Sequence, residues 1–443
     1  MFRNSYKLSK YNVLLQHRNQ NIVYNALTNA ILRTNFDIYD AIKHNRNDYL
    51  KVLSKENLQV LVTNGIAISN DFSESDYIEG EYLKTSKGTE FTTFTIYPTL
   101  LCNFRCVYCI QKSINRNTKK FDSGVVEMFI EKYITTKSPK KIRIIWSGGE
   151  PLLEWTRIKK MTQNLLQLCK QHDVHYESHI VTNGYLLTKQ IADSFKDCSI
   201  THAQITLDGQ PDLHNKLRPH HNGGNTFTEV LSGIRYSSQA IYTTIRVNIN
   251  SFNLDSFEEL LRELKSTIRD TSRITISPKM IVPDSASCNL ENFFKPKTFG
   301  EHEIALIRLI LKYEFRAPSL ITSGLNLRCA YYHEYSFNIS PDLRLYKCSE
   351  LVGQKEFAYG EIASNGDIVR YSSDNCIISG HSYPVLEECT NCFYLPKCMG
   401  KCVFTFNLYD KKEATGCLVS KFNLESKLKL FVDQKMEQAE NPK

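Results

Sequence analysis

The sequence predicts an α/β protein: a partial (β/α)6 barrel preceded by a small α+β unit and followed by a Cys-rich module. Three observations carry this. Between residues 91 and 318, short strand-like runs alternate with helix-period runs six times. Before residue 91 there is no cysteine, and from 319 to 420 the alternation gives way to Cys-rich loops broken by Gly353, Gly360, Gly366 and Gly380. The length, 443 residues, suits about three units rather than one core. The expected boundaries are 1–90, 91–318, 319–420 and a C-terminal tail at 421–443.

In the first unit, YNVLLQ (11–16) and IVYNAL (22–27) read as strands around the polar turn HRNQN. Thr28 is expected to cap a helix whose apolar positions are Ala30, Ile31, Ile38 and Ile42. A second helix is expected near Asp48–Leu61, with Ser54 as a break or cap, then a turn and strand in NGIAIS (64–69). The acidic DFSESDYIEGEY (71–82) reads as a linker. The next strands are FTTFTIY (91–97), IRIIWS (142–147), ESHIVT (177–182), THAQITL (201–207), TTIRVNI (243–249) and RITISP (273–278), with helices such as VVEMFIEKYI (125–134) and FEELLRELK (257–265) between them. Six units suggest an open or partial barrel rather than the closed eight, with chemistry at the carboxyl ends of the strands. The Cys-rich module buries little by itself and needs metal or disulfide staples. Residues 421–443 read as a charged helix with a frayed end, QAENPK.

An apolar fraction of 42% and a charged fraction of 23% exclude whole-chain disorder, collagen and coiled coil. No apolar run approaches the ~20 residues of a membrane helix, and MFRNSYKLSKYNVLL lacks the form of a secretory signal. The expected address is cytoplasmic. The net charge of +8 is scattered, without the basic stripe of a nucleic-acid binder. Neither nucleic acid nor membrane is an expected partner. The 14 cysteines are the informative count. A cytosolic chain keeps thiols reduced, so clustered cysteines point to metal binding or catalysis. Cys169, Cys198, Cys288 and Cys376 stand alone and read as incidental or buried thiols.

After the first barrel strand comes TLLCNFRCVYC, in which Cys102, Cys106 and Cys109 follow the spacing C-x3-C-x2-C. Three thiolates this close can hold three irons of a cubane cluster and leave the fourth open; structural zinc, the rival, wants four closed ligands. This loop resembles that of the radical S-adenosylmethionine (radical SAM) enzymes. The following strand ends agree in order: Gly148-Gly149-Glu150-Pro151, then Thr182-Asn183-Gly184, then Thr206-Leu207-Asp208-Gly209 followed by His214 and Arg218. The resemblance implies a TIM-like partial barrel, a [4Fe-4S] cluster on Cys102, Cys106 and Cys109, and S-adenosylmethionine chelated by its open iron. One electron would then cleave the cofactor to a 5′-deoxyadenosyl radical that takes hydrogen from a substrate. Gly148, Gly149 and Glu150 are expected at the methionyl amino group, since glycines admit close approach and a carboxylate suits an ammonium. Tyr108 is expected near the adenine, and Thr206, Asp208, Arg218 and Asn248 at the ribose and carboxylate.

The later cysteines, Cys389-x2-Cys392-x5-Cys398-x3-Cys402 and Cys417, with Cys329 and Cys348 upstream, resemble the SPASM domain of this superfamily. The resemblance implies two auxiliary [4Fe-4S] clusters, three clusters in all. Cys329, Cys348 and Cys402 would hold the first; Cys389, Cys392, Cys398 and Cys417 would hold the second. Leu343 stands where the family pattern has a turn glycine, and no eighth cysteine precedes Cys329 in LITSG (320–324). A zinc module is the alternative. SPASM enzymes mostly modify peptides, which implies a ribosomally made precursor peptide with a leader as substrate, and a low-potential electron donor of flavodoxin or ferredoxin type. Ser349 replaces the base Asp that follows the second SPASM cysteine in sulfatase-maturating enzymes, with Glu350 one position on. That favours a crosslinking (thioether or carbon–carbon) maturase over a formylglycine-forming one. Residues 1–90 resemble small winged-helix-type leader-binding modules in pattern, where an edge strand would pair with an extended leader. A non-enzymatic zinc- or cluster-binding interaction protein is the alternative of a different class.

Overall fold

The computed structural model describes residues 5–111, 114, 121–281, 294–322, 324–325, 329–371, 387–400, 402 and 417–440. Cys288, Cys376 and Gly380 lie outside the described residues, as do positions 441–443 of the expected frayed end. The chain opens with β1 (Tyr6–Leu8), β2 (Asn12–His17), β3 (Gln20–Asn25) and β4 (Ile31–Thr34). The last three form an antiparallel sheet in the order β2-β3-β4. Arg18 and Asn19 both adopt positive φ between β2 and β3, as a two-residue turn matching strand twist requires.

Three expectations fail in this unit. Ile31 lies in β4 rather than in a helix, and Thr28 caps nothing: its hydroxyl donates to the Asn64 carbonyl at 2.7 Å. Helix α1 (Phe36–Lys43) starts later, where the Asn35 side chain accepts from the Ile38 amide. Helix α2 (Lys55–Thr63) is capped by Ser54 as expected, and β5 (Ala67–Ser69) pairs with β1. The acidic "linker" is helix α3 (Glu74–Ser86), capped by Ser73. Its Ile78 and Tyr82, four residues apart, are buried, while Glu79 faces solvent.

The six expected barrel strands are present as β6 (Phe91–Ile96), β7 (Lys141–Trp146), β8 (His175–Thr182), β9 (Ile200–Thr206), β10 (Tyr242–Ile249) and β11 (Ile274–Met280). All pair in parallel, and their spatial order follows the sequence without reversal. A singly wound order puts the helices on one side and leaves the other for a cavity. The strands alternate accordingly. Ile142, Ile144 and Trp146 of β7 are wholly buried, whereas Arg143, Ile145 and Ser147 line the cavity. Each side chain of the buried set contributes roughly 1.5–3 kcal/mol by leaving water. Helices α4 (Ser123–Lys137), α5 (Trp155–Gln171), α6 (Lys189–Asp193), α7 (Pro211–Leu217), α8 (Phe227–Ala240), α9 (Phe257–Thr267) and α10 (Pro296–Lys312) complete the units. Cys169 and Cys198 are buried core thiols.

The sheet does not stop at the barrel. β12 (Ser336–Ile339) pairs in parallel with β6, and β13 (Arg344–Tyr346), β14 (Gly360–Ile362) and β15 (Ile368–Arg370) continue it antiparallel. Leu343, in the β12–β13 turn, takes the left-handed φ of +66° that a glycine would take without strain. The C-terminal helix, Leu424–Glu440, lays Leu424, Leu428 and Val432 against Tyr11, Leu15 and Ile22 of the N-terminal sheet. His17 and Arg18 both reach Asp433 at 2.7 Å. No helix among the described residues is long and apolar enough to cross a membrane.

Candidate active site

At the carboxyl ends of the parallel strands lies a cavity of about 1560 Å³. Its wall takes Cys102, Cys106 and Cys109 from the loop after β6, Ser349, Glu350 and Cys402 from the Cys-rich module, and Tyr77 and Glu81 from α3.

The cysteine loop rests directly on the glycines after β7. A Cβ on Gly148 would sit 2.4 Å from the Thr99 carbonyl oxygen, and one on Gly149 would sit 2.2 Å from that of Leu101. The amides of Gly149 and Glu150 donate to the Thr99 and Leu101 carbonyls at 3.1 and 2.8 Å, locking loop to strand end. The Glu150 carboxylate, expected to meet an ammonium, is committed elsewhere. It is fully buried and accepts from the Leu152 amide, the Thr182 hydroxyl and the Asn183 amide at 2.9, 2.6 and 2.7 Å. Gly148 and Gly149 line the cavity in its place.

Of the other expected residues, Tyr108, Asp208, Arg218 and Asn248 form one knot. The Tyr108 hydroxyl donates to Asp208 and accepts from Arg218 Nη1 at 2.8 Å and Asn248 Nδ2 at 3.1 Å. The Asn248 amide donates to the other Asp208 oxygen at 2.7 Å. Burial pushes the Asp208 carboxyl up, and Arg218 and these bonds oppose it. The Asp208 amide donates to His214 Nδ1 at 3.1 Å, so His214 serves as a neutral acceptor; burial and then Arg218 hold its pKa well below the usual value. Thr206 lines the cavity without joining the knot.

Sequence reading missed the groups around the first thiol. Cys102 Sγ accepts from the Phe104 amide at 3.3 Å and faces Asn183 Nδ2 at 3.8 Å, and Asn183 also donates to Asn103 Oδ1 at 2.7 Å. Asn183 lay in a noted strand-end motif; Asn103 gave no local signal beyond following Cys102. Burial pushes the Cys106 thiol up to about 12, and Arg218 pulls it back.

The Cys-rich module brings its thiols together in two groups. Burial pushes Cys348 up to about 12, and Cys329 and Cys402 are close enough to raise it further. Cys398 is pushed up to about 12 in the same way, with Cys417, Cys389 and Cys392 as its sulfur neighbours.

Residues 96–313 match the radical SAM superfamily. The chain carries a radical SAM domain. Among curated relatives, a GTP 3′,8-cyclase of Vibrio parahaemolyticus is 27% identical over 156 residues, 34% of this chain and 43% of that protein. A serine-type anaerobic sulfatase-maturating enzyme of Klebsiella aerogenes is 28% identical over 135 residues, 30% of this chain and 33% of that protein. The matches therefore span well under two thirds of these relatives. Among solved structures, anSMEcpe with bound AdoMet and Kp18Cys peptide superposes with a TM-score of 0.60 at 16% identity, covering 79% of this chain and 99% of that one. Streptococcus suis SuiB bound to precursor peptide SuiA superposes with a TM-score of 0.52 at 14% identity, covering 93% and 98%. At these identities the likeness concerns fold: a radical SAM domain set in a wider architecture similar to that of the SuiB chain.

Proposed function

We propose that the chain is a radical SAM maturase that forms a crosslink in a ribosomally made peptide. The observation that carries this reading is the single cavity shared by the three-thiol loop, the Cys-rich module and helix α3 of the N-terminal unit. A chamber of that size, walled by three parts of the chain, suits an extended peptide better than a small metabolite. The peptide-bound states of the fold neighbours anSMEcpe and SuiB support the same class.

The donor sets fit iron–sulfur clusters. Each group is made of thiols, and Cys102 already accepts an amide hydrogen bond of the kind that orients a ligand sulfur. On this reading Cys102, Cys106 and Cys109 hold the cofactor-binding cluster, and the seven later cysteines hold two auxiliary clusters. When bound, cluster and S-adenosylmethionine supply one-electron cleavage of the cofactor and a radical able to take hydrogen from the substrate. The chain supplies the rest. Gly148 and Gly149 let a ligand approach the backbone, and Arg218 sets a positive charge beside the thiols. Asn248 and Thr206 present polar groups for the ribose and carboxylate, Asp208, buried behind them, orients Asn248 and Tyr108, and the strand walls exclude water. The electron would come from a flavodoxin- or ferredoxin-type donor.

Glu350 favours a second reading, sulfatase maturation. Its carboxylate lines the cavity near Tyr97, whose phenol is pushed up by burial first and then by Glu350, so a carboxylate is within the chamber even though Ser349 holds the usual place. One experiment orders the readings. The anaerobically reconstituted chain should hold roughly twelve irons and cleave S-adenosylmethionine under dithionite. With its true precursor peptide it should give products two hydrogens lighter per modification, with no loss of sulfur and no aldehyde that a hydrazine reagent traps. A zinc-loaded chain without cofactor cleavage would replace both readings with the interaction-protein alternative.

A further inference from the structure

The cysteine loop is clamped from Asn103 to Val107 by the segment that follows α7. The Val107 and Arg105 amides donate to the Leu217 and Pro219 carbonyls at 3.0 and 2.9 Å, and the His221 amide donates to the Asn103 carbonyl at 2.8 Å. Phe104 and His220 face each other as an antiparallel bridge within this ladder. The register runs unbroken from Asn103 opposite His221 to Val107 opposite Leu217, so it sets Arg218 opposite Cys106. Facing residues in such a ladder hold their Cβ atoms about 4.5–5.5 Å apart. The Arg218 side chain is tethered on both sides of that thiol. Its guanidinium lies over the Phe104 ring, 5.6 Å from the ring centre, and its Nη1 donates to the Tyr108 hydroxyl at 2.8 Å. It is 6% exposed, so little water screens its charge. Burial raises the Cys106 and Cys102 thiols, and Arg218 opposes that rise at both.

We infer that Arg218 is the counter-charge of the group held by Cys102, Cys106 and Cys109, and that it sets the reduction potential of that group whether or not S-adenosylmethionine is bound. This rests on the cluster reading above. Three thiolates on an oxidised four-iron core carry a net charge of −1, which one guanidinium balances. One electron from an external reductant takes the cluster to −2 and leaves cluster and guanidinium together at −1. A guanidinium stays charged at any working pH, so Arg218 favours the added electron throughout and raises the midpoint. The Asp208 carboxylate, 3.7 Å from Arg218 Nη1, carries the opposite charge and lowers it. The clamp gives this pairing its precision, because the backbone ladder that holds Cys106 in place also places the cation.

The test is an EPR-monitored redox titration of the reconstituted full chain without S-adenosylmethionine, with iron and zinc measured on the same samples. The relevant signal is the one missing when Cys102, Cys106 and Cys109 are all replaced by Ala. Arg218→Met should shift its midpoint to more negative potential and leave the other clusters in place. Arg218→Lys keeps the charge and should hold the midpoint closer to wild type than Arg218→Met does. Asp208→Asn should shift the same midpoint to less negative potential, and it decides the matter if Arg218→Met does not load its full iron. Opposite shifts follow from charge, whereas a loosened loop would move both variants the same way. An unmoved midpoint in Arg218→Met with only cofactor affinity lost would make Arg218 a ligand of S-adenosylmethionine alone and overturn the inference. Shifts of one sign in both variants would overturn it too, and either result leaves the cluster established. Zinc on the loop, or no signal that the triple Ala variant lacks, would overturn the cluster reading itself and the inference with it.

Discussion

The Tyr108 phenol and the Asp208 carboxylate, 100 positions apart in sequence, share a hydrogen bond that organises one wall of the cavity. Arg218 and Asn248 donate to the same phenol oxygen, so one hydroxyl holds a cation, an anion and an amide in register. Tyr108→Phe removes that centre without removing the ring. Hydrogen bonds to charged groups contribute ~1.5–3 kcal/mol, so equilibrium binding of S-adenosylmethionine should weaken about tenfold. Affinity within twofold of wild type would show the knot to be scaffolding alone.

Gly149→Ala tests the contact between loop and strand end. The new methyl would lie 2.2 Å from the Leu101 carbonyl oxygen, and backbone cannot yield as a flexible side chain does. The loop must lift, carrying Cys102 with it. The variant should fold, lose about a third of its iron and fail to cleave S-adenosylmethionine. The same iron deficit is expected when Cys102, Cys106 and Cys109 are all replaced by Ala. Full iron and normal cleavage in Gly149→Ala would show that the loop tolerates displacement.

Glu350→Gln separates the two maturase readings. A crosslinking enzyme needs no base at this wall, so most activity on the true peptide should survive. A sulfatase-derived peptide should give no formylglycine by mass spectrometry. An aldehyde at its Cys or Ser, lost in Glu350→Gln, would move the assignment to sulfatase maturation.

His179, on the cavity face of β8, gives a pH prediction. Burial first, then Arg143 and His202, pull its pKa from about 6.5 to about 4. The folded state therefore prefers neutral imidazole, and the unfolded chain binds more protons between those values. The stabilising contribution is complete above pH 6.5 and is lost as pH falls towards 4. His179→Gln should flatten the acid side of the melting-temperature profile over that window. Parallel profiles for variant and wild type would remove His179 as the source.

Much of the barrel was legible because it is repetitive. Alternation in IRIIWS separates Ile142, Ile144 and Trp146 from Arg143, Ile145 and Ser147, and the same rhythm runs through β6 and β8. Cysteine spacing marked the site because ligand geometry fixes distances along the chain. What escaped was set by distant partners. β4 has four residues whose Ile31 and Leu32 suit either period, and only pairing with β3 makes them a strand. The acidic face of α3 hid the buried pair Ile78 and Tyr82. The short strands β12–β15 exist because β6 offers them an edge. The commitment of Glu150 to Thr182 and Asn183 joins strand ends that no local pattern connects.

The pairing of His17 with Asp433 spans 416 positions, and the apolar contacts around it span nearly as many. During synthesis, this cluster on the N-terminal sheet has only Ile78 and Tyr82 of α3 for partners until Tyr394, Leu395 and Met399, and then Leu424, Leu428 and Val432, leave the ribosome. At 5–20 residues per second that interval is roughly 20–80 s. For that time the nascent chain displays Leu15 and Ile22 to the cell, which makes this sheet a natural client for a chaperone. It also means that a ribosome stalled late in the message releases a protein whose barrel is complete but whose N-terminal unit is open to aggregation.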